Sequence, residues 1–166
     1  MTFVIRPACT ADVVAIRGIV EGYTADRRLL AKAPVTLYED VQEFLVAERD
    51  GRVVGCGALH VMWEDLAEVR TLAVAPEHIG KGIGSQILEL LLDRARGLGI
   101  RRVFCLTFEV DFFARHGFAE IDGSPVDPVV YEELLQSYDE GVAEFLGLER
   151  VKPNTLGNHR MLIVFE

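Results

Sequence analysis

The stretch LAVAPEHIGKGIG, residues 72–84, joins an apolar run to a glycine-rich segment. The apolar run stops before Pro76, and SQILELLLDRAR, which starts at Ser85, repeats apolar side chains at helical spacing. The glycines between these two runs alternate with other residues, at Gly80, Gly82 and Gly84. This order predicts a strand, then a glycine-lined turn, then a helix that begins near Ser85.

A turn of this kind is suited to binding an anion. The first N–H groups of a helix have no partner inside the helix, and the helix dipole adds partial positive charge there. Glycine lets the backbone curl tightly and approach a ligand closely. The turn therefore predicts a backbone nest for a phosphate or pyrophosphate. A glycine-rich loop that serves packing alone is the alternative, and the strict alternation of glycines favours the ligand.

Two well-known phosphate-binding patterns do not match. A P-loop needs Gly-Lys-Ser/Thr at its end, whereas Lys81 here lies between two glycines and Ser85 follows Gly84. A dinucleotide-binding fingerprint needs Gly-x-Gly-x-x-Gly, whereas the spacing here is Gly-x-Gly-x-Gly. Both nucleotide-binding families are therefore excluded by spacing.

Length and composition predict one domain that covers residues 1–166, because the chain is 166 residues long and 50% hydrophobic. A formal net charge of −9 argues against nucleic acid or an anionic membrane as a partner. No apolar run is long enough to predict a membrane helix. Cys9, Cys56 and Cys105 are too scattered for a disulfide framework or a metal site, so we expect reduced core cysteines, no metal and a cytoplasmic location.

The first half of the chain predicts helices and a hairpin. Asp12 is a candidate cap for an amphipathic helix over residues 13–30. Thr36 and Glu39 have capping-box spacing and predict a second, short helix. The dipeptide Asp50-Gly51 between two apolar runs predicts a tight hairpin.

The second half continues the alternation of strands and helices. The long helix after the glycines should end near Gly97, before the strand RRVFCLTF and the short helix VDFFARHGF. A last helix, broken near Gly141, and the strand HRMLIVFE follow. Hairpins together with one strand–helix–strand unit, Val69 to Leu106, predict a mixed α/β (α+β) fold. Its central sheet should be mostly antiparallel and flanked by helices.

The segment from Leu72 to Phe108 resembles the central motif of the GNAT N-acetyltransferases, which bind acetyl-CoA. Gly82 and Gly84 match the family's glycine positions, whereas Ile79 stands where the family has arginine or glutamine. The continuation GIRRVFCLTFEVDFFARHGFAEID resembles the acetyltransferase domain of N-acetylglutamate synthases, in their short stand-alone form. This resemblance implies the GNAT fold, with a splay between strands 4 and 5.

The resemblance also implies an activity. The chain is expected to transfer acetyl from acetyl-CoA to the α-amine of L-glutamate or L-glutamine, the first step of arginine biosynthesis. Acetylation of another amine, such as a protein N-terminus or a small metabolite, is one alternative. A non-catalytic acetyl-CoA-binding module is another, and the departures at Ile79 and Phe113 favour it slightly. The oligomeric state stays open, a homodimer included.

Cofactor contacts follow from the resemblance residue by residue. Strand 4 should run along the thioester, and the amides from Gly80 to Ser85 should hold the pyrophosphate. Phe113 occupies the position of the tyrosine acid found in many members, so it is expected to pack against the cofactor or the core. The residues assigned to the cofactor are Leu72, Ala73, Val74, Gly80, Lys81, Gly82, Ile83, Gly84, Ser85 and Phe113.

Acetyl transfer to an amino acid also needs a base, because its amine is mostly protonated at neutral pH. Glu68 is the candidate, since period-two alternation puts it on the face of Arg70 and Leu72. The stretch EVRTLAV also resembles the place where histone-acetylating members carry a catalytic glutamate. A purely structural pair between Glu68 and Arg70 is the alternative.

The acceptor's carboxylate needs a cation, and arginine binds carboxylates through a two-pronged fork. The candidates are Lys32, Arg70 and Arg160. Lys32 lies where the synthases have a basic segment, Arg70 lies on a mostly apolar strand, and Arg160 enters the last strand. A solvated surface charge is the alternative for each, most strongly for Arg160.

Overall fold

The computed structural model describes residues 2–24, 33–123, 125–146 and 159–166. Lys32 lies outside these residues, so its role stays a prediction. The strands are β1 (Val4–Pro7), β2 (Phe44–Arg49), β3 (Arg52–Trp63), β4 (Leu66–Val74), β5 (Arg102–Thr107), β6 (Ala119–Glu120) and β7 (His159–Val164). The helices are α1 (Val13–Thr24), α2 (Pro34–Glu39), α3 (Ile83–Gly97), α4 (Val110–Arg115), α5 (Pro128–Leu134) and α6 (Glu140–Leu146).

The strands form one mixed sheet in the order β1-β2-β3-β4-β5-β7-β6. The pairs β1–β2, β2–β3, β5–β7 and β6–β7 are antiparallel, whereas β4 and β5 are parallel. A parallel pair requires a crossover, and α3 lies in it. The expected mixed α/β class, with a mostly antiparallel sheet and one strand–helix–strand unit, is confirmed.

The chain divides into two compact units. The first unit comprises Met1–His60 and Val69–Arg94. Its core joins the apolar stripe of α1 to the inward side chains of the strands, as the helical spacing predicted. The buried members of this cluster are Val13, Ile16, Val20, Leu37, Phe44, Val46, Cys56, Ala58 and Ala73.

The hairpin between β2 and β3 turns at the predicted dipeptide. Asp50 has φ of 51° and Gly51 has φ of 74°. Two successive positive φ angles match the right-handed twist of the flanking strands, which is why Asp-Gly is favoured there. The hairpin prediction is confirmed, and Arg49 pairs with Arg52 at its end.

Two glycines of β3 bring α3 directly against the strand. A Cβ atom added at Gly57 would lie 2.8 Å from Cγ2 of Ile87 and 3.0 Å from Cδ1 of Leu72. A Cβ atom at Gly55 would lie 3.0 Å from Cγ2 of Ile83, the first residue of α3. The absence of side chains at these positions therefore sets how closely α3 approaches β3.

We expect Gly57→Ala to lower the free energy of unfolding by about 1–3 kcal/mol, because the added methyl group overpacks a close contact. The matched control is Gly18→Ala in α1, where no described atom outside the helix's own backbone lies within 4 Å of the added Cβ. That change should raise stability by about 0.5–1 kcal/mol, since alanine favours a helix over glycine. Urea denaturation measures the free energy of unfolding of both variants. Equal changes in the two would contradict the close approach of α3 to β3.

The second unit comprises Val61–Glu68 and Ala95–Glu166. Phe104 of β5 and Phe145 of α6 meet edge to face, with ring centroids 4.9 Å apart. The buried cluster around them comprises Met62, Leu66, Phe104, Leu134, Val142, Phe145 and Leu146. The short helices α5 and α6 thus contribute apolar side chains to this core.

The parallel pairing of β4 with β5 is short. It places Leu66, Ala67 and Glu68 opposite 102–104, with Glu68 opposite Phe104, while β4 itself continues to Val74. The pairing with β5 therefore ends well before β4 does, as the expected splay between strands 4 and 5 requires.

Three predicted details in the first unit were wrong. Helix α2 begins at Pro34 and has Ala33 as its N-cap, so Thr36 is not a cap; proline's fixed φ suits the first helical position. Asp12 accepts a hydrogen bond from the Cys9 amide at 2.8 Å and so closes a single 3-10 turn ahead of α1. Cys9 is exposed, although Cys56 and Cys105 are buried as expected.

The ion pair of Asp12 with Arg6, 2.8 Å long, explains why the Asp12 side chain is buried. The hydrogen bond from Arg6 holds the pKa of Asp12 well below its usual range. The carboxylate therefore stays charged while it joins β1 to the start of α1.

The last predicted helix is two helices, and the break between them, at residues 135–139, lies near Gly141, as predicted. Asp127 caps α5 by accepting from the Val130 amide at 3.0 Å, and Asp139 does the same for α6 with the Val142 amide. Capping by aspartate restarts the helix. Gly141 therefore lies inside α6.

Candidate functional site

The loop between β4 and α3 has the predicted glycine conformation. Gly80 has φ of 84° and Gly82 has φ of 81°, a region that side chains other than glycine rarely adopt. Apart from the adjoining residues, no atom of the described part of the chain lies within 4 Å of a Cβ built at either position. These glycines are therefore required by the path of the backbone and not by close packing, which removes the packing alternative for both.

The start of α3 supplies the amide groups that an anion needs. Helix α3 begins at Ile83, two residues earlier than predicted, and the Gln86 amide donates to the Gly82 carbonyl at 3.1 Å. Amides in the first turn of a helix have no acceptor within the helix, and the dipole makes this end partially positive. The loop residues 80–82 are exposed, whereas the Ile83 side chain is buried. The backbone thus faces outwards while Ile83 anchors it, and these residues fit a pyrophosphate.

Strand β4 contains a backbone outlier that the sequence did not predict. Thr71 has φ of 56°, and its side chain is buried. A β-branched residue in the left-handed region is strained, and such strain is concentrated at functional sites. The Cys56 thiol donates to the Thr71 carbonyl at 3.4 Å. The following residues, Leu72 and Val74, are half-buried, and Ala73 is buried.

Glu68 is a buried carboxylate in the second unit, with 4% of its surface exposed. Its neighbour Cys105 is also buried, and burial raises the pKa of the Cys105 thiol well above its usual range, with a further contribution from the charge of Glu68. Cys105 is therefore held as a neutral thiol and is not a thiolate nucleophile. Of these two groups, only the carboxylate can accept a proton from an amine.

Arg160 on β7 is half-buried among aromatic rings. One of its Nη atoms donates to the Phe145 carbonyl, and its guanidinium lies 5.5 Å from the ring centroid of Phe104 and 5.9 Å from that of Phe145. Its Nε atom is buried without a hydrogen-bond partner among the residues that the structure describes. Burial lowers the pKa of Arg160. The surface-charge alternative was wrong for Arg160.

Phe104 is a neighbour of both the candidate base, Glu68, and the candidate anchor for the acceptor's carboxylate, Arg160. It lies opposite Glu68 in the β4–β5 register, and the Arg160 guanidinium is stacked near its ring. Within the second unit, a carboxylate and an arginine therefore flank the same residue of β5 from the two neighbouring strands.

The remaining predicted residues have different surroundings. Arg70 lies in the first unit and is half-buried. Phe113 is 6% exposed and packs edge to face against Phe112 and Phe118, with centroids 5.2 Å apart in both pairs. The Phe113 ring therefore packs in the core, and its contact with the cofactor stays a prediction. Lys81 is exposed.

The described residues show neither a group of side chains placed to hold a metal ion nor a membrane-spanning helix. Within residues 2–24, 33–123, 125–146 and 159–166, no group of three or more His, Cys, Asp or Glu side chains is placed to hold a metal ion. Over the same part of the chain, no helix has the length and apolar composition to cross a membrane.

Sequence comparisons match the chain to one family. The model of the acetyltransferase (GNAT) family covers residues 18–118. An amino-acid acetyltransferase of Mycobacterium tuberculosis is 59% identical over 164 residues, which are 97% of this chain and 94% of that protein. An amino-acid acetyltransferase of Aeromonas salmonicida is 32% identical over 126 residues, 74% of this chain but only 28% of that longer protein.

Solved structures agree with this match. A Mycobacterium tuberculosis protein in complex with CoA and NLQ superposes with a TM-score of 0.94 at 58% identity, covering 98% of this chain and 99% of that one. The N-acetylglutamate synthase of Neisseria gonorrhoeae, complexed with CoA and N-acetyl-glutamate, has the same fold over 36% of its length, with a TM-score of 0.78 at 24% identity. The family match, the close relative and the glycine loop together lead to one conclusion: this chain belongs to the GNAT family of acetyltransferases.

Proposed function

We propose that this protein transfers acetyl from acetyl-CoA to the α-amine of L-glutamate or L-glutamine, as the first step of arginine biosynthesis. We infer that the acceptor is an amino acid from Arg160, a half-buried guanidinium whose Nε has no hydrogen-bond partner among the described residues. A buried charge is costly without a partner, and a substrate carboxylate would provide one. The close Mycobacterium tuberculosis relative, named amino-acid acetyltransferase, supports the same choice.

The glycine loop is proposed to hold the pyrophosphate of acetyl-CoA. The amides from Gly80 to Ser85 would donate to its oxygens, and Lys81 would add a positive charge from the exposed side of the loop. Bound there, acetyl-CoA supplies a thioester as the acyl donor. The backbone of β4 over Leu72, Ala73 and Val74 would lie along the thioester, where an N–H group can stabilise the developing negative charge on the carbonyl oxygen.

Glu68 is proposed to accept the proton that the amine must lose. Only a neutral amine attacks a thioester, so a carboxylate within reach of the ammonium, directly or through one water, raises the reactive fraction. Because Glu68 is buried, its charge acts in surroundings that screen it less than water does. Arg160, Arg70 and Lys32 are the proposed cations for the carboxylates of the acceptor.

Two further properties belong to this proposal. The buried free thiols of Cys56 and Cys105 are those of a protein in a reducing compartment, so we place it in the cytoplasm. Neither nucleic acid nor a membrane is proposed as a partner, and the oligomeric state stays open, a homodimer included.

We expect Arg160→Met to raise the KM for the amino-acid acceptor about 10–100-fold, because a charged hydrogen bond is lost. Arg160→Lys keeps the charge without the fork and should fall between wild type and Arg160→Met. Arg101→Met, at an exposed position one residue before β5, is the matched control and should leave KM unchanged. Steady-state thiol release from acetyl-CoA at varied acceptor concentration measures all three.

A panel of acceptors tests the reaction itself. We expect thiol release with glutamate or glutamine and much less with other amino acids, peptides and polyamines. Release with a peptide or polyamine alone would replace the amino-acid assignment with another amine. CoA binding without release for any amine would mean a non-catalytic module. An acceptor KM that is unchanged in Arg160→Met would remove Arg160 from the substrate site.

A further inference from the structure

The segment from Val74 to Ile79, which connects β4 to the glycine loop, is held at its first residue by a distant side chain. The Tyr23 hydroxyl, in the last turn of α1, donates to the Val74 carbonyl at 2.5 Å, across 51 positions of the sequence. The next amide, of Ala75, donates to the Val54 carbonyl on β3 at 2.8 Å. The point at which the chain leaves β4 is therefore fixed by both α1 and β3.

A second side chain reaches the far end of the same segment. Arg49, at the end of β2, is 9% exposed, and its Nη1 lies 3.4 Å from Nδ1 of His78. A guanidinium only donates, so Nδ1 of His78 is the acceptor in this geometry. The carboxylate of Asp50 lies 3.9 Å from Nε of Arg49.

Backbone bonds make the stretch between these two points a compact turn. The His78 amide donates to the Ala75 carbonyl at 2.9 Å, and the Ile79 amide donates to the Pro76 carbonyl at 3.4 Å. The residues that follow are different, because Gly80 and Gly82 are exposed and glycine has the widest choice of backbone conformations. The direction in which the loop amides point therefore depends on how firmly the preceding turn is held.

We propose that Tyr23 and Arg49 are positioning residues for acetyl-CoA, which act by fixing the turn at Pro76–His78 so that the loop amides are arranged before the cofactor binds. Preorganisation of this kind strengthens binding because less ordering is required when the ligand arrives. The inference rests on the proposed role of Gly80–Ser85 in binding the pyrophosphate. All the residues involved belong to the first unit.

The sharpest test is Tyr23→Phe, which removes one oxygen atom and keeps the ring in its packing. We expect the Kd for CoA, measured by calorimetry, and the KM for acetyl-CoA to rise about 3–10-fold. The kcat at saturating acetyl-CoA should stay within about twofold of wild type. A merely structural role would lower Tm and kcat through the folded fraction and leave KM and Kd unchanged. Tyr38→Phe in α2, where the side chain is 46% exposed, is the matched control.

Arg49 gives a second and independent variant. Arg49→Met should weaken CoA binding to a similar extent, and Arg49→Lys, which keeps a donor for His78, should restore part of the affinity. The control is Arg52→Met, an exposed arginine across the hairpin. Equal Kd values for Arg49→Lys and Arg49→Met would contradict a role through His78.

A double-mutant cycle shows whether the effect passes through the loop. Gly82→Ala disturbs the loop directly, because alanine is strained at a φ of 81°. If Tyr23 acts by arranging the loop, Tyr23→Phe should have a smaller effect on CoA affinity in the Gly82→Ala background than in wild type. If Tyr23→Phe raises the Kd for CoA by the same factor in the Gly82→Ala background as in wild type, the inference is overturned. It is also overturned if Gly82→Ala weakens CoA binding while Tyr23→Phe and Arg49→Met both leave the Kd unchanged. An unchanged Kd in Gly82→Ala would instead overturn the loop itself as the cofactor site.

Discussion

Glu68→Gln is expected to lower kcat at neutral pH by about 10²–10⁴, the usual effect of removing a general base. Glutamine has nearly the shape of glutamate, so the buried position of Glu68 should keep its packing while it loses its basicity. The deficit should shrink as the pH rises, because a growing fraction of the acceptor amine is then already neutral. Turnover against pH, for both enzymes at saturating substrate, measures this convergence.

Two controls make the result specific. The affinity for CoA should stay the same in Glu68→Gln, since the proposed pyrophosphate loop lies elsewhere on the chain. Glu64→Gln, an exposed carboxylate just before β4, should leave kcat unaltered. Wild-type turnover of Glu68→Gln at neutral pH would show that another group takes the proton.

Gly82→Val is expected to weaken CoA binding by about a hundredfold, through strain and through lost hydrogen bonds. Valine is β-branched and is poorly tolerated at the φ of 81° found at Gly82. Its side chain would also occupy the open space in which a pyrophosphate is proposed to lie. Calorimetric titration with CoA measures the loss, and circular dichroism checks that the fold persists.

The chain offers a closely matched control at Gly99, after the end of α3. Gly99 has φ of 85° and, like Gly82, has no atom of the described residues, its neighbours in the chain aside, within 4 Å of an added Cβ. Gly99→Val should therefore carry a similar backbone strain and a similar loss of stability without affecting CoA. If both variants lose the same affinity, strain alone explains Gly82→Val, and the loop is not the cofactor site.

Features decided by neighbouring residues could be predicted from the sequence. Asp50-Gly51 specifies its own turn, and the alternating glycines specify a backbone that other residues avoid. Aspartate capping also acts locally, and the predicted break near Gly141 lies directly before α6, which Asp139 caps.

Features decided by tertiary structure could not be predicted. Threonine normally favours strands, so nothing near Thr71 in the sequence indicates its positive φ. The bond from Tyr23 to Val74 joins residues 51 positions apart. Arg160 resembled a surface charge because its burial depends on Phe104 of β5 and Phe145 of α6, which are distant from it in the sequence or on other elements.

The place of β7 in the sheet has a consequence for protein synthesis. The residues of the first unit end at Arg94, so the residues of the glycine loop are translated before β5 and β7. The second unit has β7 between β5 and β6, and neither neighbour can complete its pairing until the ribosome has added His159–Val164. A nascent chain should therefore gain its cofactor loop before its acceptor anchor, Arg160.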